Sequence, residues 1–306
     1  MKILPQGGLI EEMYVLKRDF ATKFLALCIL AVSVMMQPLA AQAHSPELEE
    51  GMRAFYAEEY AKAQELFADC LKKHPQDSLA MGYMLHSAYK LKEINTVNNQ
   101  IEQRAVARGE DPTALAHLGM GYFLKGMIIP NQMDESVTEF KQAIKDDPQV
   151  SMAYTGLGMV YFQKRMMPRA KGYFVRALRI NPHDVMAMEL LGNIMLVDDK
   201  KPEDARQLFE RITAELPTYP DGFYYLGSSL FDLGRTEEAI PYLLRCRELD
   251  PKGLTKGFDA ASLLGDALMK ENRLAEAVDA YQKAKEIRPD SEYIDVQLRK
   301  AKGENV

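Results

Sequence analysis

Between Ser151 and Asp184 the apolar positions fall into two stripes. In the first, Leu157, Gly158 and Tyr161 stand at i, i+1 and i+4, on one face of a helix. In the second, Ala170, Phe174 and Ala177 form the inward stripe of a following helix, and Pro182 ends it because proline cannot continue the hydrogen-bond ladder. Gly158 and Ala170 are small, so the two helices can approach closely. Such a pair still has one apolar side uncovered, and only another pair can cover it. The pattern does recur. Gly158, Gly192, Gly227 and Gly265 are spaced by 34, 35 and 38 residues, and Pro148, Pro182, Pro217, Pro251 and Pro289 by 34, 35, 34 and 38. Between each Gly and the next Pro lies a step from Ala to a large apolar residue: Ala170 to Phe174, Ala205 to Phe209, Ala239 to Leu243 and Ala277 to Tyr281. Gly51, Ala63, Phe67 and Pro75 repeat it earlier in the chain.

This register predicts helix pairs over 44–77, 78–111, 112–150, 151–184, 185–219, 220–253 and 258–291, and a closing helix over 291–302 before a short tail, 303–306. The second pair is degenerate, with Leu85 and Val97 in the Gly158 and Ala170 columns. The third carries five extra residues around Met127-Ile128-Ile129-Pro130. In the closing helix, Tyr293, Ile294 and Leu298 are expected to cover the last pair. Ser45-Pro46 is a helix start, a cap followed by proline in the first turn.

Residues 1–43 have a different pattern. Lys17, Arg18 and Lys23 precede a run from Phe24 to Met36 that is apolar except at Ser33, and Ala41-Gln42-Ala43 follows Pro38. Basic start, short apolar middle and small-residue end predict a secretory signal cleaved after Ala43. Glu11 and Glu12 oppose the charge of such a segment, which makes Met13 the alternative start. The run is short for a membrane span, which needs about 20 residues, and no later run could span after cleavage. The chain is therefore expected to be exported to the periplasm or cell envelope.

Composition changes the picture mainly by exclusion. The net charge of −6 argues against a general nucleic-acid binder, which needs a basic footprint. Five His residues show no paired metal spacing, and three Cys are too few for a disulfide scaffold. Cys70 and Cys246 both fall in the small-residue column of Ala177, where they are expected to be buried as small apolar groups. Eighteen Met residues raise copper binding, but Met186 and Met188 are two apart and point in nearly opposite directions on a helix. With no catalytic, cofactor or metal constellation, a non-enzymatic role is expected.

The Gly, Ala, aromatic and Pro columns resemble the tetratricopeptide repeat family over residues 44–302, most clearly at Tyr154, Leu157, Gly158, Tyr161, Ala170, Phe174, Ala177 and Pro182. The resemblance implies an all-α, right-handed superhelical solenoid of about seven helix-turn-helix repeats. It also implies a concave groove lined by first helices, here the columns of Met152, Thr155, Met159, Phe162 and Gln163. The Met159 column reads Met52, His86, Met120, Met159, Asn193, Ser228, Asp266. The Phe162 column reads Phe55, Tyr89, Phe123, Phe162, Leu196, Phe231, Met269. Residues three apart share a helix face, so the first four repeats would present a Met and aromatic stripe and the last three an acidic one, with Glu189, Asp221, Asp232 and Asp259. The aromatic column has a second reading as core. Bases that clamp acidic chaperone tails elsewhere in the family have no comparable cluster in these columns.

Two roles follow from the resemblance. One is a scaffold of the bacterial cell envelope that binds a protein or an amphipathic peptide with a basic flank. The other is an assembly subunit or carrier for an apolar, lipid-like ligand. The Met127-Ile128-Ile129 loop is the alternative apolar contact site.

Overall fold

The helix pairs that start at Pro46, Ser78, Pro112 and Val185 begin at a polar side-chain cap. Ser45 Oγ accepts from the Leu48 amide at 3.2 Å, Asp77 from Ala80 at 2.8 Å and Asp184 from Ala187 at 3.0 Å. Such caps satisfy amides that the first turn leaves unpaired, at about 1 kcal/mol each. The computed structural model describes residues 44–107, 111–127, 129 and 131–304. The expected signal segment lies outside them, as do the last two residues of the expected tail.

Among the described residues there are fifteen α-helices and no strand. They run as α1 (Pro46–Tyr56), α2 (Tyr60–Lys73), α3 (Ser78–Lys90), α4 (Ile94–Ala107), α5 (Pro112–Gly126), α6 (Gln132–Asp146), α7 (Ser151–Gln163) and α8 (Met167–Ile180). Then follow α9 (Val185–Asn193), a turn of π-helix (Ile194–Asp198), α10 (Pro202–Glu215), α11 (Pro220–Asp232), α12 (Thr236–Leu249), α13 (Gly257–Lys270), α14 (Leu274–Ile287) and α15 (Glu292–Ala301). The expectation of an all-helical solenoid holds.

The glycine column marks the closest approach within each pair. A Cβ on Gly158 would lie 2.6 Å from Cδ1 of the buried Phe174 ring, and one on Gly119 would lie as close to Phe140. The aromatic ring therefore occupies the space that the glycine leaves. In the second pair Leu85 stands where the others have glycine, and α3 and α4 are held apart. α3 packs mainly on α2 and also reaches α5, α7 and α9.

The inward set of α3 closes the array on itself. Ser78 Oγ donates to Asp184 Oδ1 at 2.6 Å, and the Ser151 amide donates to Gln76 Oε1 at 2.9 Å. The Tyr83 and Tyr219 rings meet edge to face at 6.2 Å. Further round, Tyr56 Oη lies 3.1 Å from Thr255 Oγ1, and Lys252 Nζ 3.1 Å from Glu58. The first pair thus touches the linker after the sixth.

Tight turns join the helices of most pairs, each through a residue with positive φ: Glu58 (65°), Lys92 (63°), Arg165 (57°), Lys200 (55°), Gly234 (75°) and Asn272 (57°). Only one of the six is glycine, so five side chains carry left-handed strain. The π turn has a sequence cause. Gly192 to Ala205 is one residue longer than Gly158 to Ala170, and one wide turn absorbs the extra residue while both columns stay inward.

Candidate functional site

α3 forms one wall of a cavity on the inner face that is partly open to solvent. The cavity has a volume of about 580 Å³. α3 contributes Gly82, Leu85, His86 and Tyr89; α5 contributes Met120, Phe123 and Leu124; α7 and α9 contribute Met159 and Met186. Glu189, on α9, and Tyr219 close the far side. The volume lies within the ~300–1,000 Å³ typical of ligand pockets, and the lining is mainly apolar, as such pockets require.

Five of the expected groove residues meet here: His86, Tyr89, Met120, Phe123 and Met159. Three others are corrected by the structure. Met52, Phe55 and Met152 have no exposed surface. Phe55 is enclosed by Tyr83 at 4.8 Å and His86 at 5.0 Å, because α3 lies over it. It belongs to the core, as the second reading of its column allowed.

The remaining expected residues lie elsewhere. Phe162 is half-buried among the apolar side chains around Phe174, and Gln163 is exposed at the end of α7. Asn193 donates to Tyr225 Oη at 2.9 Å. Ser228 is half-buried and Asp232 is exposed. Phe231 has Lys270 Nζ 3.8 Å above its ring. Asp266 accepts from Tyr281 at 2.7 Å and from Tyr293 at 2.6 Å, so it is occupied in fastening α15. Apart from Glu189, the acidic half therefore does not continue the cavity, and Asp221 is buried inside the closure.

Sequence reasoning missed Gly82, Tyr83, Leu85, Leu190 and Tyr219 as lining residues, and set Met186 aside. Gly82 is inside a helix with no partner in the glycine column, which was the available signal. A Cβ there would lie 2.8 Å from Met186 Cε.

The cavity's electrostatics follow from burial. Burial holds the His86 imidazolium down, helped by Lys90, so the ring is neutral at neutral pH. Burial pushes the Glu189 carboxyl up, and the Tyr219 hydroxyl that donates to it pulls the other way. Asp221, deeper in the closure, is pushed up to about 8 by burial and then by Glu189, although Thr255 donates to it. Asp184 is raised by burial despite hydroxyl donors on Ser78 (2.6 Å) and Thr155 (2.7 Å). The inner closure is thus a set of acids held toward their neutral form by desolvation.

The cavity also has an apolar rim. Tyr89 is 47% exposed and Met127 55%, and both line it; Ile129 nearby in the chain is 54% exposed. Cys70 and Cys246 are free and buried, and burial pushes the Cys70 thiol up to about 12. Among the described residues no group of three His, Cys, Asp or Glu could hold a metal ion, and no helix is long and apolar enough to cross a membrane.

A family model described as tetratricopeptide repeat matches residues 131–184, 167–220, 196–253 and 224–292, together more than half of the chain. The chain is 30% identical over 135 residues to the transcriptional regulator HilA of Salmonella typhimurium, covering 40% of this chain and 24% of the regulator. It is 30% identical over 98 residues to the peroxisomal targeting signal receptor of Saccharomyces cerevisiae, covering 32% of this chain and 15% of the receptor. The chain thus spans a quarter or less of these relatives. Among solved structures, the APC/C hetero-tetramer Cut9–Hcn1 superposes with a TM-score of 0.60 at 13% identity, over 81% of this chain and 47% of that one. PilW, a type IV pilus biogenesis factor, superposes with a TM-score of 0.54 at 19% identity, over 63% of this chain and 86% of that one. Identities this low carry the fold alone.

Proposed function

The chain belongs to the tetratricopeptide-repeat family, and from that premise we propose that it is a non-enzymatic protein–protein interaction scaffold of the bacterial cell envelope. It binds an apolar stretch of a partner polypeptide in the cavity between α3, α5, α7 and α9. The envelope part rests on the sequence pattern from Lys17 to Ala43. The observation that carries the binding site is the apolar cavity continuous with an exposed apolar rim at Tyr89 and Met127.

The chemistry fits an adaptable anchor site. Met120, Met127, Met159 and Met186 are unbranched and polarisable, so they re-pack around different inserted side chains. Burying one large apolar side chain there contributes about 1.5–3 kcal/mol. Glu189 is the one acid in the lining, which favours a basic group next to the inserted residue. Replacing Met159 and Met186, the half-buried methionines of the lining, by Ser is expected to speed partner release while the fold survives. Unchanged release would remove the cavity from the interface.

The mainly apolar lining of the cavity also supports a carrier for a small apolar ligand. Mass spectrometry of an organic extract of the purified protein distinguishes the two. A stoichiometric apolar molecule favours the carrier; clean protein with a crosslinkable polypeptide favours the scaffold.

A further inference from the structure

The outer face of α8 differs from the other helix surfaces of this acidic chain. α8 carries Arg169, Lys171, Arg176 and Arg179 and no acid, and Arg165 stands in the turn before it. Elsewhere Arg104, Arg288 and Arg299 stand singly and do not form a cluster, while Arg53, Arg206, Arg211, Arg235, Arg245, Arg247 and Arg273 each pair with a carboxylate. On α8 only Lys171 does so, with Asp199; the side chains of Arg165, Arg169, Arg176 and Arg179 have no ion pair among the described residues. All four arginines are exposed. Arg179, in the last turn, suits the helix dipole, but Arg169 lies far from that end, and like charges three apart, as Arg176 and Arg179 are, repel.

The arginines are also held in place. Arg169 lies over the Tyr161 ring at 5.6 Å, and Arg176 over Tyr154 at 5.5 Å. Tyr161 and Tyr173 stack in parallel, 5.3 Å between centroids with 1° between planes. A guanidinium resting on a ring loses less freedom when it binds, and its flat fork suits a carboxylate.

Between the two arginines is a hollow of about 320 Å³ lined by Tyr161, Pro168, Arg169, Gly172, Tyr173 and Arg176. Its floor is Gly172. Glycine inside a helix is unfavourable relative to alanine. At Gly158 and Gly119 that penalty is explained by a ring packed on the glycine. At Gly172 a Cβ would meet nothing within 4 Å, so packing gives no reason for glycine. What the missing side chain leaves is the hollow.

We propose that the outer face of α8 is a second binding surface, for an acidic polypeptide segment that places two carboxylates on Arg169 and Arg176 and lays its backbone over Gly172. The two arginines are seven residues apart, about 10 Å along the helix, a distance spanned by acids three apart on a polyproline II chain, whose three-residue turn keeps both on one side. The surface is small, about 15 Å from Arg169 to Arg179, and its four exposed arginines are fewer than the roughly 6–10 phosphate contacts on which nucleic-acid affinity rests. It faces outward from a different part of the array and is independent of the methionine cavity.

The test is fluorescence anisotropy of the full chain with a labelled dodecapeptide of glycine, serine and glutamates at every third position. The same peptide with glutamines and a labelled single-stranded DNA of equal length serve as comparisons. The variants are Arg169→Gln/Arg176→Gln, Gly172→Phe, and Arg245→Gln as a surface control. The glutamate peptide should bind, and the double variant should weaken it about tenfold or more, as loss of two charge-assisted contacts requires. Gly172→Phe should weaken it similarly without lowering the melting temperature, because the position is open. Arg245→Gln should leave it unchanged. Equal binding of the glutamine peptide, no binding of the glutamate peptide, or unaltered affinity in both α8 variants would overturn the proposal. Tighter binding of the DNA would also overturn it and assign the surface to phosphates.

Discussion

Alanine in place of Gly158 and alanine in place of Gly172 should have opposite effects, although the two sites lie in neighbouring helices. Both substitutions remove a glycine from a helix, which by itself stabilises by up to about 1 kcal/mol. At Gly172 nothing lies within 4 Å of the new methyl, so that gain is the whole effect. At Gly158 the methyl would sit 2.6 Å from Phe174 Cδ1 and closer still to Cε1. The ring has no exposed surface and the core around it no slack, so either the ring or the α7–α8 pairing must shift. Overpacking of this kind costs about 1–3 kcal/mol. The helix gain is common to both variants, and their difference, about 1–3 kcal/mol, isolates the contact. Urea denaturation followed by circular dichroism should place the midpoint of Gly172→Ala above the parent and that of Gly158→Ala below the Gly172 variant by this amount. Equal midpoints would refute the claim that the glycine column exists to seat the ring of the following helix.

Two further outcomes follow from strain and from buried charge. Lys92→Gly should raise stability by about 0.5–1 kcal/mol in the same denaturation assay, because φ at this turn is 63° and a side chain there is strained. Asp221→Asn should flatten the pH dependence of stability. The folded carboxyl titrates at about 8 against an ordinary 3.8, so between those values the folded state holds a proton that the unfolded state has lost. The parent should therefore lose stability as pH rises from 5 to 8, and thermal melts of the variant across that range should show a shallower fall.

The pairing of helices was legible in the sequence because it is local. Gly158 and Phe174 are sixteen residues apart, and the contact repeats wherever a glycine precedes a large apolar residue by that interval. The closure of the array was not legible. It depends on curvature summed over many pairs, which brings Tyr56 to Thr255, 199 residues away. Leu85 in the glycine column did mark α3 as the irregular element, but nothing in the columns says that α3 turns inward. That is why Phe55 and Met152 read as groove and proved to be core, while Met120 and Met159, in the same pattern, reached the cavity. Glu189 was visible as an acid; its burial beside Tyr219 was not, since the two come together only through the fold.

The most direct measurement of the scaffold account is site-specific photo-crosslinking in cells. A photoreactive residue replaces Tyr89 at the rim of the cavity, and in a second strain it replaces Lys283, an exposed position on α14. The account predicts a discrete polypeptide adduct from position 89, identifiable by mass spectrometry, and none of that mass from position 283. The same adduct at both positions, or none at position 89, would contradict it.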